Sequence, residues 1–153
     1  MADWEQRLDV VNCAKHFDDI AGYSVYICPT QGNNYSHRRS KYFGLYRNKS
    51  VELVAHIDAV VDVGAESAQV VWNNVDAPSA ALISAARGKH QQLRPGQFPK
   101  RVFLLSDCHM TDFRKDSPGG MFPSKQYFDV GPLGASNSRE LAARLNGRSW
   151  SEV

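Results

Sequence analysis

The chain has 153 residues, of which 42% are hydrophobic and 22% charged, and its net charge is +2. That length suits one domain able to bury a core without a disulfide staple. The mild charge excludes a protein that coats nucleic acid by bulk electrostatics, so any anion site must be local.

Cys13, Cys28 and Cys108 are an odd number at wide spacing, with no CxxC. They imply neither a disulfide framework nor a zinc site, and they fit reduced thiols in a cytoplasmic protein. The start, MADWEQRLDVV, carries acidic residues where a signal peptide needs basic ones. No window approaches the apolar length of a membrane helix, so no membrane partner is expected. No pattern calls for a cofactor or a metal.

In chain order, residues 3–21 place Trp4, Leu8, Val11, Ala14, Phe17 and Ala21 at steps of three and four. That spacing predicts an amphipathic helix, with His16 on its surface. Residues 23–28 are β-branched and aromatic, which predicts a strand that Pro29 stops. The polar stretch 29–41 follows. It is long for a connection and gathers Asn33, Asn34, Tyr35, His37, Arg38, Arg39 and Lys41.

Residues 41–47 predict an aromatic strand with Tyr42, Gly44 and Tyr46 on one face. Gly44 there suggests a bulge or a close approach. Residues 51–54 fit a helical turn or a strand equally. Residues 55–63 predict a strand, and 68–75 return as a hairpin partner carrying Trp72. Asp76 and Pro78 predict a helix start, with the helix over 77–87 and Gly88 as its stop. Lys89, His90, Arg94, Lys100 and Arg101 then add positive charge. Residues 101–107 predict a strand. A second polar concentration runs from 108 to 134, with a last strand near 127–130. Asn137 to Glu140 reads as a capping box opening a helix over 138–146.

Few, scattered helices and hairpin spacing disfavour a doubly wound sheet. The expected fold is α+β, one domain, 1–153, with a strongly bent, mostly antiparallel sheet or small β-barrel and peripheral helices.

Two stretches carry chemistry suited to an anion. The 31–41 loop offers His37, Arg38, Arg39 and Lys41 for phosphate oxygens. The 111–121 stretch offers Arg114, Lys115, Ser117 and exposed glycine amides. Tyr35, Tyr42, Tyr46 and Phe113 are candidate stacking surfaces, with Asn33, Asn34 and Asp107 as hydrogen-bonding groups. Tyr42 and Tyr46 fit the core equally well.

The strand rhythm resembles the PUA-like group of small β-barrels, which includes the ASCH and EVE domains. The resemblance rests on Tyr42-Phe43-Gly44-Leu45-Tyr46, the hairpin over 57–72 and the strand at 101–105. It implies binding of RNA, modified bases or nucleotides beside the barrel and assigns no residue. His109-Met110-Thr111 also resembles one half of the two-histidine phosphoesterase signature.

The expected function is therefore a binding module for a phosphate-bearing ligand: a nucleotide, a signalling nucleotide or a single-stranded nucleic acid. The alternatives are a phosphodiesterase or nuclease using His109, Thr111 and His56, and a protein-interaction module or homo-oligomer.

Overall fold

The computed structural model describes residues 2–32, 35–121 and 123–153. Their strands are β1 (Arg7–Asn12), β2 (Val25–Cys28), β3 (Tyr42–Arg47), β4 (Ser50–Val63), β5 (Ala68–Asn73), β6 (Lys100–Arg114) and β7 (Lys125–Asp129). The helices are α1 (Phe17–Tyr23), α2 (Ser79–Leu93) and α3 (Ser138–Leu145).

One mixed sheet runs in the order β2-β6-β4-β3-β1-β7, and β5 joins β4 beside this path. Only the β1–β3 pair is parallel among the described residues. β4 is the spine. Its first half pairs β3, its second half pairs β5, and β6 runs along its length. Register shifts interrupt the β4–β6 ladder between Val51 and Leu53, Val54 and His56, and Ile57 and Ala59. Such bulges bend a strand and raise its twist. The expected bent sheet is present, but it does not close into a barrel.

The curl shows in the packing. Tyr26 of β2 and Phe43 of β3 have ring centroids 5.3 Å apart. Three strand steps separate them, about 14 Å in a flat sheet. A cluster on the inner face draws Val11, Tyr26, Phe43, Leu45, Ile57 and Phe103 from five strands, with Ile20 of α1. The outer faces pack separately. α3 lies on one with Leu141 and Leu145, beside Leu8, Val10 and Phe113. α2 lies on the other with Leu82 and Ala86, beside Val25, Ala59 and Val61.

Several expectations need correction. Residues 3–21 are not one helix: a 3-10 turn (Asp3–Gln6) leads into β1, and helix begins only at Phe17. β1 is packed on both faces, so its burial hides the strand period, and Asp9 is fully buried within it. Asp76 does not cap α2; it has φ +54°, and Pro78 holds the cap position without a side-chain bond. Gly88 lies inside α2, which continues to Leu93. Residues 51–54 are strand, and β6 extends past 107 to Arg114. The α3 cap is as expected: Asn137 Oδ1 accepts from the Glu140 amide at 2.8 Å.

Gly44 is a close approach. A Cβ there would meet Val51 Cγ1 at 3.1 Å, Val10 Cγ2 at 3.2 Å and Leu8 Cδ1 at 3.3 Å. All three belong to packed core rather than flexible tips. Gly44→Ala is expected to cost about 1–3 kcal/mol by overpacking, read by urea denaturation. An unchanged midpoint would show that β1 and β4 yield there.

Candidate functional site

The bend brings edge strand β2 close to the ends of β1 and β7, although no ladder joins them. The gap between these edges is a seam. Residues 14–23, 29–32 and 35–41 border it. A cavity of about 320 Å³ opens there, lined by Val11, Asn12, Tyr26–Cys28, Ser124 and a basic set. The cations are Lys15 and His16 after β1, Arg94 at the end of α2 and Lys100 at the start of β6. Tyr35 forms part of the wall and packs on the inner core. No Asp or Glu lines this cavity among the described residues.

The cations are not equivalent. Arg94 donates to Asp19 Oδ2 at 2.6 Å and to His16 Nδ1 at 3.4 Å. That contact suits a neutral imidazole. Burial and then Arg94 hold His16 below the ordinary histidine range, against the opposing pull of Asp19. Lys15 and Lys100 stand on opposite sides of the seam, and neither has an ion pair among the described residues. Beneath them the thiols are quiet. Burial pushes Cys13 strongly up and Cys28 up to about 12, so both stay protonated.

Residues 35–41 are pinned by side chains. His37 Nδ1 meets Asp9 Oδ2 at 2.7 Å, with side-chain exposures of 1% and 0%. The His37 ring also packs edge-on against Phe103 at 4.9 Å. Asp9 Oδ1 and His37 Nε2 have no partner. Arg39 spans Asn74 Oδ1 at 2.9 Å and the Asn73 carbonyl at 2.8 Å, and lies 4.0 Å over the Trp4 ring. The Arg101 guanidinium donates to the Tyr35 carbonyl at 3.3 Å. Lys41 Nζ lies 5.3 Å over the Tyr42 ring. Of the four basic residues in this stretch, Arg38 is the exposed one, its guanidinium 5.2 Å over Tyr127. Asn33 and Asn34 lie outside the described residues.

The two expected basic stretches do not meet. Lys41 precedes β3, whereas Arg114 pairs with Ser50 beyond the other end of β3. Thr111, Phe113 and Arg114 are strand residues. Arg114 reaches Asp112 at 3.3 Å, and Lys115 turns back on Ser117 Oγ at 2.6 Å and on nearby carbonyls. Phe113 is fully buried, and Tyr42 and Tyr46 are core. Tyr46 Oη accepts from the Met121 amide at 3.1 Å, and Tyr42 Oη is buried without a partner.

A second polar group gathers under the start of α3. His56 Nδ1 lies 2.6 Å from Asp58 Oδ1, which also accepts from Ser106 Oγ at 2.6 Å. His109 Nε2 lies 2.5 Å from Asp107 Oδ1, and Ser138 Oγ donates to Asp107 Oδ2 at 2.7 Å. Ser138, then His109, hold the Asp107 carboxyl below the usual range. Asp107 sits at φ +51°. Thr111 does not join this group; its hydroxyl donates to the Ala142 carbonyl at 2.7 Å and anchors α3. No three such groups are placed to hold a metal among the described residues.

Lys15, His16, Arg94 and Lys100 are the site residues that sequence reasoning missed. Arg94 and Lys100 were visible only as part of the positive charge after residue 88, and Lys15 and His16 lay within the expected N-terminal helix. The chain matches no protein-family model, no curated protein and no solved structure.

The Asp9–His37 contact is open to a direct test. His37→Ala leaves a buried carboxylate alone and is expected to cost about 3–5 kcal/mol in urea denaturation. The double change Asp9→Leu with His37→Leu should cost less than the sum of the two single changes. A single-variant loss below about 1 kcal/mol, the usual surface value, would mean the loop is not pinned there.

Proposed function

We propose that the protein is a binding module for a phosphate-bearing ligand, a nucleotide or a single-stranded nucleic acid, seated in the seam between β2 and β7. The observation that carries this reading is the seam cavity itself. It joins four basic side chains and two tyrosines with no lining carboxylate among the described residues. Lys15 and Lys100 supply unspent charge from opposite walls, and Arg94 and His16 supply oriented N–H groups. Tyr35 supplies a flat face for a base. The three free cysteines fit a reducing, cytoplasmic setting. No helix is long and apolar enough to cross a membrane among the described residues.

A second reading is an acid/base enzyme on the α3 side. Its support is that carboxylates orient both His56 and His109. Each histidine thus keeps one ring nitrogen for proton transfer. Thr111, committed to α3, has no part in it.

A nucleotide panel separates the readings. A thermal shift without product is expected. Lys100→Ala should cost about 1–3 kcal/mol of affinity with the melting point kept, and Tyr35→Leu, which keeps an apolar contact with the inner core, should cost about the same by losing the stacking face. Product that disappears in His109→Ala would favour the enzyme, and silence across the panel a protein partner.

The pH dependence has a defined sign. His16 has a depressed folded value, so the unfolded chain holds its proton more tightly. Its contribution to stability is present above the ordinary histidine range, near about 6.5, and is lost as pH falls below it. A bound anion works the other way, because it favours the imidazolium. Affinity for a phosphodiester, whose own charge is constant here, should rise as pH falls below about 6.5. Calorimetry in two buffers should show proton uptake, and His16→Asn should abolish it. Uptake that persists in His16→Asn would place the titrating group elsewhere.

A further inference from the structure

We propose that the occupant of the seam is a single-stranded nucleic acid, whose chain leaves the cavity and continues over Arg38, Tyr127 and Arg7. This rests on the seam reading and extends it, because it names a second contact region and selects the polymer over the free nucleotide.

The second region is a recess of about 350 Å³ lined by Asp3, Gln6, Arg7, Arg38, Tyr127 and neighbouring β7 residues. Tyr127 Oη accepts from the Arg38 amide at 2.8 Å, which fixes the loop against the ring. The Arg38 and Arg7 guanidinium carbons then lie 5.2 Å and 6.0 Å from the ring centroid. Arg7 also donates to the Arg39 carbonyl at 2.7 Å. Neither guanidinium has a carboxylate partner among the described residues. A guanidinium held over an aromatic ring, with charge to spare, offers a base a partner and a phosphodiester a donor.

The recess differs from the seam in its charge. Asp3 and Asp129 share it, so it offers little to a compact polyphosphate. Asp129 Oδ1 accepts from the Gly131 amide at 2.9 Å. A base with one phosphodiester suits this balance better than a triphosphate does.

The two regions have a fixed separation. β1 and β7 pair Arg7 with Asp129, Asp9 with Tyr127 and Val11 with Lys125. Arg7 lines the recess and Val11 lines the seam. Four residues of strand separate them, about 13 Å. That is the reach of about two to four nucleotides, given the 3.4 Å stacked rise and longer steps when unstacked.

One pinned segment serves both regions. Tyr35 faces the seam, His37 is the inward peg on Asp9, and Arg38 faces the recess. Aromatic and cationic groups therefore alternate along a short track on a rigid support, as single-strand binding requires. A free mononucleotide would leave the Arg38–Tyr127 pair unused.

The test is fluorescence anisotropy with labelled thymidine oligomers of two, four, six and eight nucleotides, against a duplex of eight base pairs. Affinity is expected to rise about tenfold or more from the dimer to the hexamer and then level off. Arg38→Glu should return the hexamer to the dimer's affinity and leave the dimer unchanged. Arg38→Gln repeats the test without reversing charge. Lys100→Glu should weaken both lengths. If dimer and hexamer bind equally and Arg38→Glu changes neither, this inference fails while the seam reading stands. If no oligomer binds while a nucleotide of the panel does, this inference fails and the seam reading stands; if neither binds, both fail. Equal binding of the duplex would assign the effect to general charge and overturn the track.

Discussion

The contact between Asp9 and His37 is the one on which the arrangement of the seam depends. The chain leaves β2 at one edge of the sheet and must enter β3, three strands away. The connection therefore crosses the curled face instead of turning at one end. Such a crossing has few regular hydrogen bonds of its own, so side chains must fix it. A buried carboxylate on β1 supplies a fixed point, and the 2.7 Å contact to His37 ties the crossing to it. Burying these groups is costly, and the orphaned Asp9 Oδ1 and His37 Nε2 add to the cost. The return is positional. With His37 held, its neighbours Tyr35 and Arg38 reach opposite regions of the surface.

The same economy shows in the charges. Arg47 pairs with Glu52, Arg101 with Asp62, Arg94 with Asp19 and Arg144 with Glu140. These part-exposed pairs contribute little stability each, and the net charge of the chain is only +2. Lys15, Lys100 and Arg38 stand outside the pairs among the described residues, and all three border the seam or the recess. A near-neutral protein can thus present a locally positive region. The positive region comes from where these cations converge, with no carboxylate lining the seam among the described residues, rather than from how many the chain contains.

Much of the fold was legible in the sequence, and the losses have physical causes. β4 reads as a strand because Ile57, Ala59, Val61 and Val63 alternate with Asp58 and Asp62, although the bulge between Ile57 and Ala59 puts Ile57 in the inner cluster and the other three under α2. α3 reads as a helix because Asn137 and Glu140 form a cap and Leu141, Ala142 and Leu145 share its buried face. β1 was misread because burial on both faces erases alternation, while Leu8 and Val11 happen to stand three apart. The later half of β6 read as loop because Asp107, Met110 and Arg114 are exposed on a strand whose ladder is broken by bulges. Tyr35 stood out as a candidate because no periodicity claimed it. Lys15 and His16 were hidden inside the supposed helix, and Lys100 and Arg94 looked like scattered charge. Their convergence comes from the curl of the sheet, a tertiary property that a local window does not contain.

The curl also explains why the seam is a sensible place for recognition. A closed barrel removes its edges through backbone pairing. This sheet brings its edges together and leaves them joined by side chains: Arg94 to Asp19, Arg101 to the Tyr35 carbonyl, and His37 to Asp9. Side-chain closure leaves room for a ligand that a ladder would fill. It also couples occupancy to stability. An anion bridging Lys15 and Lys100 would add one more tether across the gap, present only in the folded state. Mass action then gives about 2.7 kcal/mol of stabilisation at a hundredfold excess over Kd. Ligands that reach only one wall obey the same relation through their own affinity, but they add no tether. Among ligands of equal charge, the bridging one should therefore bind more tightly and raise the melting point further at the same concentration.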